Sequence, residues 1–182
     1  SARLLSVLRT FSHEEIISFE KFLLSPFFNT NKNFIKLYKE LLKFQPDYKS
    51  DLLTSEFISG KLFPGKSYNK QAMWNLNAGL EKMAEEFLTQ LSMIKKPLNK
   101  LNLIFEELEL RRLDKHYLKM LKEMEKKLQN SKVNADNLGY LADLEENKSS
   151  YWQKIKGLPH KAAENEFNMA QIYTLNYLVI IS

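Results

Sequence analysis

Histidine is the side chain that most readily carries protons or metals near neutral pH, and the chain has three, His13, His116 and His160. No two stand four residues apart, so no HExxH-type pair places two imidazoles on one helix face. His13 falls in a first helical turn and His116 among charged residues, where a solvated position is the default. The carboxylate neighbours Glu106–Glu107 and Glu145–Glu146 project in different directions from a helix, which reads as solvated charge and not as a general acid beside a general base. No serine or tyrosine is read as having a histidine placed to activate it. The motif reading assigns no GxxxxGK(S/T) phosphate loop, no GxGxxG fingerprint and no GxSxG elbow to any stretch. With no cysteine, zinc fingers, iron–sulfur clusters and disulfide frameworks are excluded. The expectation is no catalytic residue, no metal ligand and no cofactor.

The residues with most chemical potential lie in KLFPGKSYNKQAMWNLNAGL, residues 61–80. A helix carrying Phe57, Ile58 and Leu62, a Pro64–Gly65 turn and a longer helix from Ser67 give the outline of a helix-turn-helix. With Met73, Leu76, Leu80 and Phe87 inward, Gln71, Asn75, Ala78 and Lys82 share the opposite face. Glutamine and asparagine can pair with adenine, and Lys66 and Lys70 can reach phosphates. Glu81 and Glu85 on the edge of that face oppose phosphate, and a DNA reader usually has a concentrated basic footprint. Packing is therefore preferred over nucleic-acid recognition. Trp74 stands off the buried stripe, which implies a helix covered on two sides. Gly79, costly inside a helix, is expected to admit a neighbour at close range.

The elements that position these residues follow from composition and period. Five Gly and five Pro in 182 residues, with abundant Leu, Lys, Glu and Asn, favour long helices. Ser12 and Glu15 form a capping box ahead of Ile16, Phe19, Phe22 and Leu23. Pro26 ends that helix, and Phe34, Leu37, Tyr38, Leu41 and Leu42 fit the next one. Phe27, Phe28 and Phe34 crowd the intervening turn, as a lock between consecutive helices in preference to a peptide pocket. Thr54 caps the helix of Phe57. Beyond Pro97 one periodic stretch runs to Leu128, and KHYLKMLKEMEKKL within it reads as a solvated face above Leu118, Leu121 and Met124, not a membrane-surface helix. A further helix carries Leu138, Leu141, Leu144, Trp152 and Ile155. The last has a stripe of Ala163, Phe167, Ala170, Leu175 and Leu178. The expected fold is all-α: an N-terminal helical bundle over residues 1–96, then long antiparallel helices over 97–182, a helical-hairpin array open to continuation as an α-solenoid.

FSHEEIISFEKFLLSPFFNTN and LTSEFISGKLFPGKSYNKQAMWNLNAGLEKMAEEFL resemble the N-terminal part of a family of hypothetical bacterial proteins, chiefly of Bacteroidetes. The resemblance covers about residues 3–130, with SPFFN and LFPGKSYN as its most specific stretches. It implies a helical fold that continues into further helices, and it brings no activity, cofactor or catalytic residue.

Charge and hydropathy bound the partners. Twenty-seven Lys and Arg against 22 Asp and Glu leave a dispersed net charge of +5. The start of the chain has no continuous apolar run suited to a signal peptide, and the longest apolar run, Tyr177 to Ile181, is too short to span a bilayer. The reading is a cytoplasmic, non-enzymatic protein-interaction or scaffold module, expected to be part of a longer chain, with a nucleic-acid-binding regulator as the alternative. Its expected contact patch is Tyr173, Tyr177, Leu178, Ile180 and Ile181, covered by another protein or by further residues of the same chain, and in these residues alone buried in the bundle or in a dimer.

Overall fold

A computed structural model describes residues 2–129 and 135–181. Among the described residues there are nine α-helices and no strand, so the chain is all-α. The helices are α1 (Ala2–Leu8), α2 (His13–Leu24), α3 (Lys32–Leu42), α4 (Ser55–Leu62), α5 (Lys70–Lys95), α6 (Pro97–Leu110), α7 (Asp114–Gln129), α8 (Ala135–Ser150) and α9 (Pro159–Ile181), with a π-helical turn at Tyr151–Ile155 after α8. They fall into two compact units, Ser1–Ser92 and Met93–Ser182.

In the first unit the helix starts follow local chemistry. The Ser12 hydroxyl accepts from the Glu15 amide at 3.2 Å, and the Glu15 carboxylate accepts from the Ser12 amide at 2.9 Å, the reciprocal box expected from the spacing. The Thr54 hydroxyl caps α4 through the Phe57 amide. The long helix begins at Lys70, three residues later than expected. Asn69 takes the cap instead: its side chain accepts from the Ala72 amide at 2.8 Å and its carbonyl from the Met73 amide, as a favoured N-cap residue does.

The apolar stripes of α1 to α5 meet in one core. Phe19 is fully buried, with the rings of Phe11, Tyr38 and Phe87 at 5.4, 5.0 and 5.2 Å. Tyr38 also donates to the Ile16 carbonyl at 3.0 Å, so a buried hydroxyl is satisfied while its ring packs. Phe28 stacks on Phe22 at 4.3 Å, whereas Phe27 points to solvent. The expected three-ring lock is therefore split, because Phe34 is used elsewhere. Its ring on α3 occupies the space beside Gly79, where an added Cβ would stand 2.4 Å from the ring tip. Gly79 thus admits an aromatic ring of a neighbouring helix. Trp74 is 65 % exposed, which corrects the expectation that α5 is covered on two sides.

The second unit departs from the sequence reading in helix length. The stretch from Pro97 to Leu128 is two helices, because Arg112 adopts φ +54°. The Leu113 amide bonds the Leu108 carbonyl at 2.9 Å and the Arg112 amide bonds that of Glu109 at 3.0 Å, which is a Schellman ending built without glycine. Leu101, Phe105, Tyr117, Leu121, Met124 and Leu144 form the core. α8 and α9 are joined through Gly157 at φ +62° and pack together extensively, with Ala142, Ser149 and Ala162 buried. The expected array beyond this hairpin lies outside the described residues.

A Gly-to-Ala change in a helix interior ordinarily gains about 1 kcal/mol. Gly79→Ala is expected to lose that gain, because the Phe34 ring must withdraw. In a Phe34→Ala background the same change should recover about 1 kcal/mol. Urea denaturation of the four variants checks it, and equal effects in both backgrounds would refute the contact.

Candidate functional site

Three features have geometry that bears on function: the α4–α5 turn, the polar layer of the second unit, and the outer side of α9.

Lys66, Lys70, Gln71 and Asn75 at the α4–α5 turn are exposed, as is Lys82 farther along α5. Gln71 donates to Asn75 at 3.0 Å, so the two amides are spent partly on each other. Glu81 is paired with Arg3 at 3.2 Å. The ammonium of Lys66 lies 5.9 Å from the centre of the Phe63 ring, and neither it nor Lys70 has a carboxylate partner among the described residues. α5 also has no acidic residue in its first turn to offset its positive end. A cavity of about 200 Å³ opens here, lined by Ser59, Phe63, Lys66, Ser67, Asn69, Ala72 and Met73.

The sequence reading missed a signal at this place. Residues 60–67 are GKLFPGKS, which fits G-x-x-x-x-G-K-S letter by letter, so the expectation of no such spelling is corrected. The structural context differs from that of a nucleotide-binding loop, where a strand precedes and the Lys–Ser pair opens the helix. Here Gly60 lies inside α4, Pro64 and Gly65 make a turn, and α5 starts three residues beyond Ser67.

In the second unit Glu145 is 9 % exposed, against the expectation of a solvated carboxylate. It accepts from Lys148 at 2.8 Å, Asn165 at 2.8 Å and Asn168 at 3.3 Å. Burial works against its charge, but these donors outweigh burial and hold the carboxyl below its ordinary value. Lys148 also reaches Glu125 at 2.9 Å; burial disfavours its charge, and the two carboxylates more than compensate, raising it above the usual value. Beside this cage lies a cleft of about 580 Å³ with Glu109, Tyr117, Asp143, Asn147 and Glu166 among its walls. Its polar groups bond one another: Asn102 to Asp143 at 2.7 Å, Ser149 to Glu166 at 3.2 Å, Ser150 to Glu109 at 3.1 Å. The Tyr117 hydroxyl donates to the Asn147 carbonyl at 3.0 Å, and burial pushes its pKa up to about 12. These are the contacts of a cross-linked polar layer. Only the Asn and Glu enrichment of α8 hinted at it.

α9 presents a surprise of orientation. It turns Ala162, Asn165, Asn168 and Met169 toward cover and leaves Phe167 and Leu175, 64 % and 53 % exposed, on the outside. The expected stripe of Ala163, Phe167, Ala170 and Leu175 is thus the outer side, because Glu145 needs the two asparagines facing it. Tyr173 is 51 % exposed and so is not buried in the bundle. The side chains of Tyr177, Leu178, Ile180 and Ile181 lie outside the described ones.

His13, His116 and His160 are exposed and apart. Among the described residues no cluster of three His, Asp or Glu suits a metal ion, and no helix is long and apolar enough to cross a membrane. No family model, curated protein or solved structure matches the chain.

Lys148→Met should lower stability by about 3 kcal/mol, since it strips a buried carboxylate of its main partner. The Glu145 contribution is complete above its ordinary value of 4.5 and fades as the pH falls below it, because the folded value is depressed. Thermal melts between pH 3 and 7 would show a smaller acid loss in Lys148→Met than in the parent; parallel curves would refute the cage.

Proposed function

We propose that this chain is a non-enzymatic, helical protein-interaction module, and that the outer side of α9 receives an amphipathic helix of a protein partner. The observation that supports it is that α9, packed on α8 through Ala162, Asn165 and Asn168, leaves Phe167 and Leu175 exposed on its other side. Large aromatic and aliphatic side chains on one helix face are the usual anchors for a helix laid alongside. Tyr173 flanks this face, and Tyr177, Leu178, Ile180 and Ile181 extend the same reading. A cytoplasmic setting, a continuing hairpin array and kinship with the Bacteroidetes family belong to this proposal.

A photo-crosslinking residue at position 167, with exposed Lys115 on α7 as control, tests it in cells. The expected result is one discrete adduct from position 167 alone, whose partner binds the purified chain at least about tenfold more weakly after Phe167→Glu, a loss on the scale of one anchor. Sedimentation separates a second copy from a different protein. Absence of an adduct, or binding indifferent to Phe167→Glu, refutes the proposal.

One observation favours the alternative of nucleic-acid recognition: Lys66, Lys70, Gln71, Asn75 and exposed Trp74 share the surface of the α4–α5 turn. It requires duplex binding that weakens steeply with salt and is abolished by a Lys66, Lys70 and Lys82 to Glu triple change.

A further inference from the structure

Ser59 is a polar side chain in the wrong company. It sits on α4 between Ile58 and Gly60, is only 6 % exposed, and its hydroxyl has no hydrogen-bond partner among the described residues. Its backbone carbonyl receives the Phe63 amide, so only the side chain is left over. With no protein partner, the hydroxyl can be satisfied only by what occupies the space it faces, water or a ligand. Ser59 lines the cavity of about 200 Å³ at the start of α5.

Much of the remaining lining is apolar, through Phe63, Ala72 and Met73, and the polar groups stand at a few points on it. Lys66 supplies an ammonium with no carboxylate partner, held over the Phe63 ring, and Ser67 supplies a second hydroxyl. The first turn of a 26-residue helix, with no acidic residue to neutralise it, forms the far wall through Asn69, Ala72 and Met73. The Ala72 and Met73 amides on that wall are taken by Asn69, so the helix end contributes its positive dipole, with the unpartnered Lys70 and Gln71 amides beside the cavity and not in its lining. A helix N-terminus joined by a lysine and hydroxyl donors is the arrangement that holds an oxyanion.

We infer that the α4–α5 cavity binds a single phosphate-class oxyanion, held by Ser59, Lys66, Ser67 and the N-terminal end of α5. Size selects the ligand. Sites for whole cofactors and drug-sized molecules run to roughly 300–1,000 Å³, so this smaller cavity takes inorganic phosphate or one phosphomonoester group and excludes a nucleoside triphosphate. The inference does not depend on the α9 interface, and it involves no bond making or breaking.

The test is an amide NMR titration of the whole chain with inorganic phosphate at neutral pH, against chloride and acetate at matched ionic strength. Saturable shifts confined to Ser59 and residues 66–73 with phosphate alone are expected. Lys66→Met and Ser59→Ala should each weaken binding about tenfold, the loss of one hydrogen bond to a charged group. Ser59→Ala should also leave the phosphate-free melting temperature unchanged or higher, since it deletes a buried unpartnered hydroxyl. A structural hydroxyl would give the opposite sign. Shifts that are diffuse, equal with chloride, or unaltered in both variants overturn the inference. Phosphatidate vesicles and duplex DNA discriminate the remaining sources: binding to either without a response to free phosphate means surface lysines alone, and overturns it as well.

Discussion

The burial of the Phe19 ring is the contact on which the first unit turns. Phe11 comes from the turn after α1, Tyr38 from α3 and Phe87 from α5, and all three rings meet the one on α2 within 5.4 Å. None of these helices except α5 is long enough to persist alone in water, since isolated helices below about 12–15 residues are marginal. Their stability is tertiary. Edge-to-face contacts also have preferred angles, so the cluster specifies orientation as well as collapse. α4, which ends near the cavity at the start of α5, is held into the same core by Ile58 and Leu62. The placement of Ser59 opposite Asn69 and Ala72 thus descends from packing that is mainly apolar.

The second unit solves the same problem with a different chemistry. Phe105, Tyr117 and Tyr151 supply its apolar centre, but between α8 and α9 the contact is made by small residues and by a buried carboxylate with its donors. Small side chains permit close approach, and close approach raises the cost of leaving any polar group unpaired. Asn165, Asn168 and Lys148 meet that cost. A buried ion pair adds little net stability compared with an apolar substitute, yet it disfavours other arrangements strongly.

What was legible in the sequence was whatever local chemistry decides. Ser12 with Glu15 and Thr54 before Phe57 are local signals, and both appear as caps. The period of α2, α3 and α5 placed Phe19, Leu37, Tyr38 and Leu80 in the core, because each helix carries a stripe of apolar residues at helical spacing, even where Ile17 and Trp74 stand outside it. The helix break at Arg112 was hidden, since a non-glycine residue in the left-handed region leaves no compositional mark. The inward side of α9 was misjudged for a more general reason: an apolar stripe competes with two asparagines whose partner, Glu145, is twenty or more residues away. At the candidate oxyanion site the letters GKLFPGKS were present but passed over, and their spelling alone would have misled, because Gly60 belongs to a helix. The unpartnered hydroxyl of Ser59 has no sequence signature at all.

Hydrophobic contact is indifferent to small rotations, whereas a carboxylate gripped by two carboxamides is not. The bonds from Asn165 and Asn168 to Glu145 therefore act as a key in a slot, fixing the roll of α9 about its own axis. What that helix shows to the outside at Phe167 is set by a residue on α8 that is itself almost wholly covered. Drift in the anchoring carboxylate would rotate a different set of side chains outward while leaving helix content and compactness untouched.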